Sequence, residues 1–232
     1  YAARSLAGVT DQVGLLRRRD ATERMIREAY RHYRGETTPE VSAEFRAAYC
    51  HDETPIEAVA VFDTVKALGF RAPFVWKWSE VKHAFHNHQL GPSVRRGFHA
   101  LALDETREAF KPVLWTTREG VPGHVEQVWF RGSHGDVGAQ LNGFRNARPL
   151  SNIPLVWMLG NLERAHLPLP PGWKERFVTD AKAPSTGTLR GWGKYFLARK
   201  RRKVGVDPSE RVHPSARGQT PRAKGLPVLA EP

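Results

Sequence analysis

His134 and Asp136 stand in "QVWFRGSHGDVGAQL", residues 127 to 141, where an apolar run breaks into a turn holding Gly132, Gly135 and Gly138. A histidine in such a place can act as a general base, because its ordinary pKa of about 6.5 lies close to working pH. The same residue could equally be a turn residue bonded to nearby backbone. Asp136 could brace the glycine loop through backbone N–H groups, as aspartates in turns commonly do. Two further carboxylates, Asp63 in "VAVFDTV" and Asp104 in "FHALALDE", each follow an apolar run. Either could orient an imidazole and stabilise its charged form. Either could also cap a following helix, and taken singly that is the commoner role.

The elements that must hold these groups can be read from the pattern around them. Residues 59–62, 98–105 and 124–130 read as short, nearly continuous apolar runs, the mark of strands buried on both faces, the second ending in Asp104 and Glu105. The polar residues therefore fall at the C-terminal ends of three strands, where parallel sheets gather their chemistry. Helical spacing is expected over residues 1–19, broken by Gly8 and Gly14 into a helix and a second short one. An amphipathic helix is expected over 20–34, and another is expected to begin at Pro39. A longer one is expected over 150–165, with Ser151 or Asn152 as its cap and Pro154 in its first turn. Beyond Pro168 the chain is rich in Pro, Gly and Arg and reads as mostly loop. The fold class is α/β: a mainly parallel sheet with covering helices and a loop-rich basic tail. Residues 1–185 are expected to form the catalytic unit and 186–232 the tail.

The chain has 232 residues, 40% of them apolar, with seven Trp and 11 Phe, which is ample for a core. No apolar run approaches the roughly 18 residues of a membrane span, and no signal peptide is visible. Cys50 is the single cysteine, so an intrachain disulfide and a cysteine-built zinc site are excluded; it reads as a small, partly buried residue. His83, His86 and His88 in "HAFHNH" match no strong zinc spacing and interleave no carboxylate, so no metal is expected. His99 reads as a packed core histidine. The net charge is +12, and residues 190–232 hold 11 Lys and Arg against three acids, led by the run Arg199-Lys200-Arg201-Arg202-Lys203. Such a run is most often a solvated terminal segment, though it could meet an anionic membrane surface; nucleic acid is not the expected partner. No Gly-x-Ser-x-Gly elbow, phosphate loop or dinucleotide fingerprint occurs in the 232 residues.

"VAVFDTV", "FHALALDETREAFKPVLW", "QVWFRGSHGDVG", "LSNIPLVWML" and "ERVHPSARG" follow one another in the order typical of one family. The chain resembles the α/β-hydrolase catalytic domain of type VI secretion phospholipase effectors, long a domain of unknown function, and the resemblance covers nearly all of it. The resemblance implies a Ser–acid–His hydrolase of ester bonds, with a lipid substrate and no cofactor. It implies that the nucleophile elbow lies just before Tyr1, so that residues 1–232 are a fragment beginning a few residues after the serine and are by themselves inactive. It implies that His134, in the family's His-x-Asp-Val-Gly motif, is the base. For the acid it favours Asp104, on the strand just before the histidine's strand, over Asp63, one strand earlier. The family often continues Asp-Val with Gly-Gly-Gly-Tyr; here Gly138-Ala139-Gln140-Leu141 makes a stiffer loop. A cytoplasmic protein, exported as an effector in some family members, is the expected location. The rival reading is a non-catalytic binding module whose basic tail engages nucleic acid or anionic lipid. The features read here leave the oligomeric state open.

Overall fold

In a computed structural model the described residues are 2–65, 89–117, 124–216 and 225–229. His83, His86 and His88 lie outside them, as do Trp76 and Trp78. The three expected strands are present: β1 (Val59–Phe62), β2 (Arg96–Ala102) and β3 (His124–Phe130). A fourth, β4 (Glu210–Val212), comes from the segment expected to be loop, and the sheet runs in the order β1-β2-β3-β4. All neighbours are parallel, with Phe62 opposite Ala100, Ala102 opposite Phe130, and Trp129 opposite Val212.

Both faces of the sheet are covered, which explains why the strands read as unbroken apolar runs. Phe98, Ala100, Ala102, Val128 and Phe130 pack under Leu150, Ile153 and Met158 of the long helix α5 (Arg148–Arg164). On another patch, Leu101, Leu103 and Trp129 meet Val212 and Ala216. Helix α1 (Ala2–Gln12) lays Ala7 near Val59, Val61 and Trp115. Helices α2 (Glu23–Tyr33) and α3 (Pro39–Tyr49) build a small core of their own with Val13, Ala29, Tyr33, Phe45 and the buried Cys50. Thr22 and Thr38 cap them, each accepting a hydrogen bond from a backbone N–H three residues on.

Three details differ from the sequence reading. Gly8 does not break α1; its missing side chain admits the Tyr33 ring, 2.8 Å from where a Cβ would stand. The second short helix expected before residue 20 is instead a turn, closed by a bridge between Leu16 and Cys50. Helix α5 starts earlier than expected, with Pro149 in its first turn, so Ser151 and Asn152 are buried inside it. The Asn152 amide donates to the Val178 carbonyl rather than capping (2.8 Å).

Candidate functional site

β1 ends at Phe62 and the next residue, Asp63, takes a backbone conformation that side chains rarely adopt, φ 41°. This left-handed step is held from both sides. The Asp63 N–H donates to the Ala100 carbonyl of β2 (2.7 Å), and Asp63 Oδ1 accepts from the Ala102 N–H (2.9 Å). Strain of this kind persists where the surroundings over-determine it, and it is common at functional sites.

The turn after β3 supplies the second component. Gly132 has φ +116°, and a Cβ there would stand 2.8 Å from the Asp136 Cβ, so the turn needs glycine. Ser133 then caps the one-turn helix α4 (His134–Val137) in a reciprocal box with Asp136. The Asp136 carboxylate also accepts from the Ser185 hydroxyl and the Thr186 N–H (2.8 Å), which ties the loop to a distant segment. Gly135 lies close to the Gln140 carbonyl, and the Gly138 N–H closes the turn onto the His134 carbonyl (2.9 Å).

His134, the first residue of α4, stands beside Asp63: Nδ1 and Asp63 Oδ2 are 2.6 Å apart. The Asp63 side chain is fully buried and the His134 ring about one-quarter exposed. Asp104, the carboxylate favoured in the sequence reading, points elsewhere. Its Oδ2 accepts from the Gly132 N–H (2.8 Å), while its own N–H donates to the Gly132 carbonyl (3.0 Å), so it pins the ends of β2 and β3 together. The structure therefore brings His134 to Asp63, and Asp104 to the glycine turn.

Arg202 completes the arrangement. It is buried, its Nη1 donates to Asp63 Oδ1 and its Nη2 to Asp63 Oδ2 (2.8 Å). The same guanidinium donates to the carbonyls of Ala102 (2.7 Å) and Phe110 (2.6 Å). Burial alone would push the Asp63 carboxyl up. The Arg202 charge and the hydrogen bonds from His134 and Arg202 outweigh burial and hold it well below the usual carboxylate range. Asp63 is thus an anion at neutral pH, and its proper partner is an imidazole carrying its proton on Nδ1. Nε2 is then left as the proton acceptor.

Glu105 is the other residue the sequence reading passed over. Buried beneath α4, it accepts from the His134 N–H (3.1 Å) and forms an ion pair with Arg107, Nη2 to Oε2 (2.7 Å). Burial raises its carboxyl and Arg107 more than reverses this, so it too is held ionised. Arg107 lies over the Phe110 ring (4.1 Å), and Phe110 in turn packs on the His134 ring (4.9 Å between centroids). His99 sits behind the site as a core histidine. Its Nε2 accepts from the Thr64 N–H (3.0 Å), and burial followed by the Arg4 charge pushes its pKa down to about 3. Among the described residues no group of three or more His, Cys, Asp or Glu could hold a metal ion.

The family model of the type VI secretion phospholipase effector Tle1-like catalytic domain matches residues 1–161. The chain belongs to this Tle1-like family. Its chemistry is accordingly of the phospholipase or esterase type. The matched span contains Asp63, Asp104 and His134; Arg202 and β4 lie beyond it. No curated protein and no solved structure matches the chain. Among the described residues of this Tle1-like chain, no helix is long and apolar enough to cross a membrane.

Proposed function

We propose that the chain carries the base and the acid of a Ser–Asp–His hydrolase acting on ester bonds of phospholipids, His134 being the base and Asp63 the acid. The observation that carries this reading is the 2.6 Å contact between His134 Nδ1 and a buried, ionised Asp63. Asp104, Gly132, Gly135, Gly138 and Asp136 shape the turn that presents the histidine. Arg202 and Glu105 hold the acid and the backbone of the base.

The nucleophile in this reading is a serine that would stand near the first turn of α1. One observation favours that placement. The first turn of α1 is tied to the acid's loop: Arg4 donates to the Val113 carbonyl, and the Val113 N–H donates to the carbonyl of Thr64, next to Asp63 (2.8 Å). The serine oxygen would attack the ester carbonyl carbon while His134 Nε2 takes its proton. Asp63 stabilises the imidazolium without becoming protonated. The same proton then passes to the alcohol oxygen as the ester carbon–oxygen bond to it breaks, leaving the acyl group on serine. Water, activated by His134 in the same way, releases the fatty acid. Export as an effector would bring such a site to a target cell's lipids.

The test is fatty-acid release from phospholipid by the full-length protein. His134→Ala is expected to lower the rate roughly 10³-fold or more. An undiminished rate in His134→Ala overturns the assignment of the base.

A further inference from the structure

The basic tail does not act as one solvated run. Arg202 is buried against Asp63, and Arg199 is folded back, Nη1 donating to the Thr188 hydroxyl (2.9 Å) and Nη2 to the Gly193 carbonyl (2.8 Å). These bonds fix the segment before them, residues 189–197, as a held platform. Its buried Gly193 sits so close to the Thr188 carbonyl that a Cβ would stand 2.6 Å away.

The platform turns its large apolar side chains outward. Trp192 is 77% exposed, Leu197 74%, Leu189 65% and Tyr195 44%. Exposed hydrophobic residues so grouped mark an interaction surface. Between them and just beyond stand the exposed cations Arg190, Lys194, Lys200 and Arg201, and no Asp or Glu occurs from residue 181 to 206. The platform also adjoins the catalytic side: Phe196 packs on Phe110 (5.4 Å), and Phe110 packs on His134 (4.9 Å).

We propose that residues 189–197 seat the protein on an anionic phospholipid bilayer, with Leu189, Trp192, Tyr195 and Leu197 entering the interface and the flanking cations meeting lipid phosphates. The proposal deepens the hydrolase reading and rests on it for the meaning of the nearby His134. A bilayer suits the surface because Trp and Tyr favour the boundary between headgroup and acyl chain, and lysine or arginine side chains reach phosphate while their stems lie on apolar surface. A segment with no acid from residue 181 to 206 offers little of its own to a basic protein partner, whereas an anionic leaflet can meet the exposed cations along it.

The test is co-sedimentation of the 232-residue chain with vesicles, which reads binding without hydrolysis; a failed catalytic assignment would leave its result standing. The chain is expected to bind vesicles of equimolar phosphatidylglycerol and phosphatidylcholine more tightly than pure phosphatidylcholine. Trp192→Ala with Leu197→Ala should weaken binding to both about tenfold or more, since two large side chains no longer leave water. Lys200→Gln with Arg201→Gln should cost about tenfold on the anionic vesicles alone. As a measurement that needs no loss of binding, brominated lipid should quench the parent's tryptophan fluorescence, and Trp192→Phe should bind normally while losing that quench. Absence of parent binding, parental affinity in the Trp192/Leu197 variant, or quenching undiminished in Trp192→Phe would each overturn the proposal. So would a patch shown to be covered by a second copy, seen as a dimer of the parent in vesicle-free buffer that the Trp192/Leu197 variant abolishes.

Discussion

Arg202 and Asp63, 139 residues apart in the chain, form a two-pronged buried ion pair, with side chains only 4% and 0% exposed. The pair joins the end of β1 to a segment just before β4. Arg202 and His134 thus meet the same buried carboxylate. A charge taken out of water is tolerated only when paired and hydrogen-bonded, and here one guanidinium meets both carboxylate oxygens and two main-chain carbonyls.

Removing the cation leaves Asp63 buried and uncompensated. Arg202→Met is therefore expected to destabilise the fold by about 3–5 kcal/mol, read from urea unfolding at neutral pH. Arg202→Lys keeps the charge but not the fork, and should fall between the parent and Arg202→Met. Equal stability of all three would mean that the ion pair contributes nothing.

Acid should unfold the protein in two stages of the same sign. His99 and His213 are pushed down by burial, to about 3 and about 4. Their ordinary value is about 6.5, so the unfolded chain binds protons first and stability falls as pH drops from about 6.5. Asp63 is depressed, so its contribution is intact above its unfolded value of about 3.9 and is lost only as pH falls below that. His99→Gln should flatten the loss between neutral pH and pH ~5, and Asp63→Asn the loss below ~4. Denaturant midpoints across the range check both.

The glycine turn makes a sharper structural claim. Gly132→Ala must adopt φ +116° and meet Asp136 at 2.8 Å. A cost of about 2–3 kcal/mol is expected in thermal unfolding. Gly143, also at positive φ but with open space around it, should cost less when changed to Ala.

The strands and most helices were legible because burial on both sheet faces and capped helix starts leave local patterns. β4 was not: three residues reading Glu-Arg-Val carry no apolar run, and Glu210 is buried only because Trp129 Nε1–H (2.7 Å) and the N–H groups of Gly205, Val206 and Asp207 reach it. His134 could be picked out because a histidine between glycines at a strand end is unusual locally. Choosing its carboxylate was beyond local pattern, since Asp63 and Asp104 both end strands. The strand order and the left-handed step at Asp63 decide which one faces the ring. Arg202 was hidden inside a run that reads as solvent-facing, since a buried cation is recognisable only through its distant partner.

The most direct measurement is the rate of phospholipid hydrolysis by the full-length protein for Asp63→Asn and Asp104→Asn side by side. If Asp63 orients and stabilises the His134 imidazole, Asp63→Asn should lower kcat roughly 10³–10⁴-fold, while Asp104→Asn should keep kcat within about tenfold and lose chiefly stability. A large loss in Asp104→Asn with near-parental turnover in Asp63→Asn would contradict the pairing of His134 with Asp63.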